Sequence, residues 1–364
     1  MEKKITALPG DGIGPEIVSS AVQVLQAIAN KYDHTFHVAV GAIGGAAIDQ
    51  YNDPLPQETI DLCEASDAIL LGAVGGPKWD NNPSDLRPEK GLLRIRKHFD
   101  LFSNLRPVQA IPSMLKSSPL KEENVKDVDL LIVRELTGGL YFGERERDEE
   151  KAYDTLTYTR PEIERIVDNA FQLARLRKKK LTSVDKANVL DTSRLWRQIV
   201  DEKKADYPDV EVEHSLVDST AMKLITNPAS YDVIVTENMF GDILSDEASV
   251  ITGSLGVLPS ASMRGDNFGL YEPVHGSAPD IAGQGIANPA ATILSAAMLL
   301  QYTFELSEEA KEIEQAVARV FEQGFFTGDM APKGSKALST NEWTEKVLLE
   351  IDPSYVPDTL ANLL

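Results

Sequence analysis

The sequence predicts an α/β protein of two domains, and three observations lead there. The chain has 364 residues, more than one hydrophobic core comfortably organises, so two domains are expected. Short strand-like runs alternate with longer stretches of helical periodicity, the pattern of a largely parallel sheet with helical crossovers. Hydrophobic residues make up 42% and charged residues 26%, which suits a packed chain and neither a collagen-like nor a disordered one.

Taken in order, residues 5–8 read as a short strand and 10–15 as a turn. A helix follows in which Ile17, Val18, Val22, Leu25 and Ile28 fall near helical spacing. Strand-like runs recur at 35–40, 68–72, 129–133, 180–184, 210–216 and 232–236. Helices are expected over 161–179, 192–204 and 239–250, and residues 288–322 read as two more. The basic run Arg175, Arg177, Lys178, Lys179 and Lys180 is expected to end a helix, where cations meet the negative end of the macrodipole. The mixed charge cluster over 144–151 is expected to be a surface loop. No repeat, low-complexity tract or Gly/Ser linker is found, so any domain boundary must be crossed by ordinary secondary structure.

Lysine and arginine total 36 against 57 aspartate and glutamate, a formal charge of -21. Such a surface repels nucleic acid and anionic membranes and favours solubility. Anionic ligands would then need basic residues concentrated locally. The lone cysteine, Cys63, excludes an internal disulfide and suits a reducing cytoplasm. It lies in a helix expected over 56–65, where burial is the better reading than catalysis. Met1-Glu2-Lys3-Lys4-Ile5 runs straight into a strand with no signal or transit pattern. The longest apolar stretch, 289–300, is too short to span a bilayer. A soluble cytoplasmic protein is expected.

Several clusters could carry chemistry. Gly10-Asp11-Gly12-Ile13-Gly14-Pro15-Glu16 follows a strand and opens a helix. Its spacing is G-x-G-x-G, though, and no acidic residue ends the next strand near Val40, so it departs from the Rossmann fingerprint. It reads instead as a tight strand-to-helix turn near a ligand. In Asn238-Met239-Phe240-Gly241-Asp242-Ile243-Leu244-Ser245-Asp246 the two aspartates stand four apart, on one face of a helix. Like charges there repel by a few tenths of a kcal/mol, a cost that a hard divalent cation such as Mg²⁺ or Mn²⁺ removes. The alternative is two solvent-facing carboxylates near a helix start.

Arg94 and Arg96 sit in a helix, Arg106 in Asn104-Leu105-Arg106-Pro107, and Arg134 at a strand end before Glu135. Guanidinium forks bind carboxylates, and strand ends are where α/β proteins bind ligands; a surface ion pair is the bland alternative for each. Lys186, at another strand end, could serve as a base if its proton affinity is lowered, or simply be exposed. Tyr141 is a candidate proton donor or a packed core aromatic. In the run Glu272-Pro273-Val274-His275-Gly276-Ser277-Ala278-Pro279-Asp280-Ile281 small residues would let backbone approach a ligand, and Asp280 could take two ribose hydroxyls. Asn288-Pro289 resembles a helix start.

Together these segments resemble the β-decarboxylating dehydrogenase family, which includes isopropylmalate, isocitrate, homoisocitrate and tartrate dehydrogenases. The resemblance runs from the first glycine cluster to Asn288-Pro289. It implies an isopropylmalate dehydrogenase-like two-domain α/β fold, not a Rossmann fold. The first, cofactor-side domain would be discontinuous (1–101 plus 254–364), and the second, for dimerisation, substrate and metal, would span 102–253. It also implies a homodimer with shared active sites. Arg96, Arg106 and Arg134 would clamp the malate carboxylates. Asp242 and Asp246, with Asp218 of the partner subunit, would hold Mg²⁺ or Mn²⁺ against the substrate. Lys186 of the partner subunit would relay the hydroxyl proton, and Tyr141 would protonate the product carbon. Glu272, the loop His275, Gly276, Ser277, Ala278, Pro279, Asp280 and Ile281, and Asn288 would hold the cofactor. Glu89, Leu92, Leu93 and, across the dimer, Val189 occupy the place where relatives acting on isocitrate carry a polar group. Leucines there would bury an isopropyl group. Asp280 followed by Ile281 would accept a bare ribose and repel a 2′-phosphate, favouring NAD. The reaction implied is oxidation and decarboxylation of 3-isopropylmalate to the leucine precursor 4-methyl-2-oxopentanoate. Tartrate, malate or homoisocitrate as substrate, or a non-catalytic regulatory subunit, are the alternatives.

Overall fold

The structure, a computed structural model, describes residues 1–364 except 113, 114, 116, 117, 254, 332, 333, 335 and 357–364. The chain forms two compact units. One comprises Met1–His98, Gly256–Ala261 and Gly265–Leu364; the other comprises Phe99–Leu255 and Ser262–Arg264. Residue 254, where the sequence reading returns the chain to its first domain, lies outside the described residues.

In the first unit the strand order is Thr35–Val40, Glu2–Gly10, Ala68–Ala73, Gly269–Pro273 and then Pro259–Met263, of which residues 259–261 belong to this unit. Glu2–Gly10 pairs in parallel with both neighbours, and Ala68–Ala73 in parallel with Gly269–Pro273. All six residues of Ala68–Ala73 are buried, as expected for a central parallel strand covered on both faces. The helix Gly14–Lys31 begins at its proline and buries Ile17, Val18, Ala21, Val24, Leu25 and Ile28, one stripe of helical period. Ala290–Tyr302 is buried nearly all round, which accounts for its unbroken apolar sequence. Among the described residues no helix is long and apolar enough to cross a membrane.

The second unit has the order Ser103–Gln109, Asp129–Glu135, Val233–Thr236, Lys180–Asp185, Glu211–Leu216. The last four are parallel, whereas Ser103–Gln109 runs antiparallel to Asp129–Glu135. The helix Arg160–Arg175 starts with a reciprocal cap between Thr159 and Glu162. Val108, Leu130, Ile132, Val184, Ile234, Leu244 and Ala248 belong to its core.

Three local expectations need correction. Residues 144–151 are not simply a loop: Arg145–Arg147 and Ala152–Asp154 pair as a two-stranded ribbon, its polar side chains all in solvent. The basic run does not end one long helix. The helix stops at Arg175, Lys179 takes a left-handed φ of 60° that reverses the chain, and Lys180 opens the next strand. Arg177 is drawn away to Asp129 and Asp232. The helix after Asn288 begins at Ala290, with the Asn288 side chain accepting from the Ala290 N–H at 2.9 Å.

Candidate active site

The structure gathers five of the sequence candidates in the second unit: Arg106, Arg134, Tyr141, Asp242 and Asp246. The helix Asn238–Ser249 carries both aspartates. Its start is capped by Glu237, whose carboxylate accepts from the Phe240 N–H at 2.9 Å. One turn apart, the two carboxylates share a single guanidinium: Arg106 lies 3.5 Å from Asp242 Oδ1 and 3.4 Å from Asp246 Oδ1. Arg106 is aimed by Asn104 Oδ1 at 2.8 Å and Ser245 Oγ at 2.6 Å. Arg134, buried, forks its Nε and Nη2 onto Asn238 Oδ1 at 3.1 and 2.8 Å and reaches Asp242 Oδ1 with Nη1. Gly241 lets this happen, because a Cβ there would stand 2.6 Å from Arg134 Cγ. The Tyr141 hydroxyl donates to Asp242 Oδ2 at 2.9 Å, and the Arg134 guanidinium carbon sits 5.8 Å from its ring centre. Burial first, then the Asp242 charge, pushes the Tyr141 phenol up to about 12, so it keeps its proton at neutral pH.

Burial pushes the Asp246 carboxyl up and the Arg106 charge pulls it back. Its side chain is still 64% exposed, against 33% for Asp242. Hard carboxylate oxygens, close together and open to solvent on one side, fit a hard divalent cation. Among the described residues no three His, Cys, Asp or Glu side chains are placed to hold a metal.

Lys186 and Asp218 are paired with each other at 2.6 Å. The Lys186 ammonium, through its hydrogen bond, holds the Asp218 carboxyl below its ordinary value. The turn bearing Lys186 is fixed from both sides. Its N–H donates to Ser193 Oγ at 3.0 Å, and the buried Asp185 accepts from Ala187 N at 2.8 Å and from two nitrogens of Arg197. Val189, just beyond, is 61% exposed.

The remaining candidates lie in the first unit. Arg96 is buried and donates to Glu272 at 2.5 Å, with its Nε unsatisfied. Arg94 is tied to Asp53 and Leu55 and reads as structural. Glu89 is exposed, while Leu92 and Leu93 are half-buried on the helix Pro88–His98. The first glycine turn and the His275 loop meet: Ile13 N donates to Ser277 O at 2.9 Å, and Ile13, Ile17 and Ala287 pack with Ala278, Ile281 and Ala282. Asp11 is a structural carboxylate, accepting from Gly45, Ala46 and Gly75 N–H at 2.8 Å each. A Cβ on Gly276 would meet nothing within 4 Å, and Pro279 and Asp280 are exposed, so this loop offers open backbone and a free carboxylate to a ligand. Burial holds the His275 imidazole below its ordinary value. Asn288 Nδ2 donates to Thr327 Oγ1 at 2.8 Å.

The sequence reading did not single out Asn104, Ser245 and Asn238 as individuals, although all lie inside the motifs quoted. Their signal is position alone, since a short amide or hydroxyl beside an arginine or aspartate of a candidate site is placed to aim it. Nor did it pick out Glu135 and Glu237, two buried carboxyls flanking Tyr158. Burial pushes both above their ordinary value of 4.5. The folded chain therefore holds those protons more tightly than the unfolded one. Their contribution to stability is full at low pH and is lost as pH rises from about 4.5 through the raised values. In urea unfolding, Glu135→Gln should accordingly gain on the parent as pH rises from about 5 to 7; a difference independent of pH would show that Glu135 ionises normally.

Comparison with known proteins agrees with this geometry. Residues 4–347 match the family model described as isocitrate/isopropylmalate dehydrogenase. The 3-isopropylmalate dehydrogenase of Oceanobacillus iheyensis is 62% identical over 363 residues, covering 100% of this chain and 99% of the relative. That of Shouchella clausii is 64% identical over 353 residues, covering 96% and 97%. Among solved structures, isocitrate dehydrogenase from Methylococcus capsulatus superposes with a TM-score of 0.85 at 36% identity, covering 96% of this chain and 99% of that one. With paired arginines facing two aspartates one helical turn apart, on an α/β frame shared with these enzymes, the chain belongs to the isocitrate/isopropylmalate dehydrogenase family.

Proposed function

We propose that this protein catalyses the NAD-dependent oxidation and decarboxylation of 3-isopropylmalate to 4-methyl-2-oxopentanoate in leucine synthesis, as a cytoplasmic homodimer. The convergence of Arg106 and Arg134 with Asp242, Asp246 and Tyr141 carries this reading: a cationic clamp, two hard ligands and a proton donor within one helical turn. Arg96, Arg106 and Arg134 grip the malate carboxylates. Asp242 and Asp246, with Asp218 of the partner subunit, would hold Mg²⁺ or Mn²⁺, which supplies Lewis acidity at the reacting oxygen. Lys186 of the partner subunit, in its neutral amine form, would take the proton of the 2-hydroxyl and pass it on to solvent. NAD, when bound by the first domain, would supply the acceptor for the hydride leaving C2. The bond from C3 to its carboxylate then breaks, its electron pair stays with carbon, carbon dioxide leaves, and Tyr141 delivers a proton to C3.

Glu272, the loop from His275 to Ile281 and Asn288 serve the cofactor, and Asp280 beside Ile281 selects NAD by repelling a 2′-phosphate. Glu89, Leu92 and Leu93, with Val189 of the partner subunit, line the place of the isopropyl group. The first domain is the cofactor side and the second carries dimerisation, substrate and metal. Exposed Met222 and Ile225 on the helix Val217–Thr226, with Ile243 and Val250 at the aspartate-bearing helix, support a second copy as partner, because apolar side chains in such a cluster favour burial. NADH formation with 3-isopropylmalate and Mn²⁺, abolished by chelator and restored by added metal, is the expected result. Faster turnover of tartrate, malate or homoisocitrate would move the assignment to that substrate, and no turnover of any would favour a regulatory subunit.

A further inference from the structure

Tyr141 stands six residues past the end of the strand Asp129–Glu135, on a glycine-containing turn, yet its hydroxyl meets Asp242 within hydrogen-bond distance. The turn is held from below by Glu135, whose side chain is fully buried. One carboxylate oxygen accepts from Thr137 N and Thr137 Oγ1, both at 2.8 Å, and the other from Gly138 N at 2.9 Å. These partners are donors of the next three residues rather than a cation, so the carboxyl organises local backbone instead of balancing charge. A buried carboxyl without a cation is costly to keep, which points to a specific use.

Tyr158 completes the arrangement. Its hydroxyl accepts from Asn238 N at 3.0 Å and reaches Glu237 Oε2 at 3.5 Å, and its ring lies against Gly138, where a Cβ would stand 2.8 Å from it. Gly139, with φ of 76°, lies so close that a Cβ would stand 2.4 Å from that hydroxyl oxygen. Asn238 Nδ2 donates to Gly138 O at 3.1 Å. The turn carrying Tyr141 and the start of the helix carrying Asp242 are thus joined through Asn238 and both meet Tyr158.

We propose that Glu135, with Tyr158 packed against the same turn, is the positioning residue that sets Tyr141 against Asp242 and thereby governs the rate of the closing protonation, without touching substrate. The inference rests on the reading of Tyr141 as proton donor. Misplacing a reacting group by about 1 Å can cost on the order of 100-fold, so Glu135→Ala is expected to lower kcat by roughly tenfold or more with an unchanged KM for 3-isopropylmalate. Glu135→Gln keeps an oxygen for Thr137 but loses the acceptor for Gly138 N, and should fall between. Tyr158→Phe should behave like Glu135→Ala.

The decisive readout is a pair of isotope effects on kcat, measured on the full-length enzyme with NAD and Mn²⁺. If protonation has become slow, the effect of deuterium at C2 of the substrate shrinks while the solvent effect in D₂O grows. Unchanged kcat in the variants, or a fall in kcat with both isotope effects unaltered, overturns the proposal, since a merely structural lesion removes active enzyme without changing which step is slow. Should Glu135→Ala not fold, Glu135→Gln and Tyr158→Phe decide the matter by the same criteria. Tyr141→Phe is measured alongside. If it shows the protonation signature and the others do not, only the positioning role fails; if it too lacks the signature, the proton-donor reading fails with it.

Discussion

Lys186→Met is expected to lower kcat by roughly 10²–10⁴-fold, the range typical of losing a positioned acid–base group, while KM for 3-isopropylmalate changes little. Methionine keeps the length and apolar stem of lysine but cannot accept or pass on a proton. The surrounding turn is held by Ser193 and by the Asp185–Arg197 pair, so the substitution should not reshape it. Near-normal turnover would remove the base assignment. The same variant tests the shared site. Mixed with Asp242→Asn, which should itself be inactive, Lys186→Met should recover activity after subunit exchange. A mixed dimer then contains one site with neither change. No recovery, with mixed dimers demonstrated, would place Lys186 and Asp242 in the same chain's site.

The largest loss of stability is expected for Arg134→Leu, at roughly 3–5 kcal/mol, the range seen when one partner of a buried ion pair is removed. Arg134 is buried, forks onto Asn238 and pairs with Asp242, so its loss strands the buried Asn238 amide oxygen and leaves Asp242 only Arg106 at 3.5 Å and the Tyr141 hydroxyl. Arg134→Lys should restore only part of this, because an ammonium cannot make the fork. Urea unfolding gives the comparison. A cost near zero for Arg134→Leu would mean that the guanidinium serves substrate alone.

How far the site could be read from the sequence depends on the element. The aspartates at 242 and 246 were legible because helical spacing is local, and the misfit of the first glycine cluster to a dinucleotide fingerprint was legible for the same reason. The strand Ser103–Gln109 was not read, although it carries Arg106. Pro107 argues against a strand, and Asn104 and Arg106 look like surface residues. Antiparallel pairing with Asp129–Glu135 brings Arg106 to Ile132 and Asn104 to Arg134 in register, a relation that no local pattern contains. Glu135 and Glu237 escaped notice because a carboxylate is expected in water. Backbone N–H groups two or three residues further on bond both carboxyls, but the Tyr158 that packs between them comes from a distant segment.

Periodicity, spacing and charge of neighbouring residues were therefore enough to establish an α/β chain, an aspartate pair on one helix face and a set of candidate cations. Which cations face the aspartates, which arginine is merely structural and what holds Tyr141 in place were decided by the folded chain. The physical reason is one of range. Helix and strand patterns act over a few residues, whereas a buried polar group must find its partners wherever the fold delivers them, here more than 100 positions away between Arg134 and Asp242.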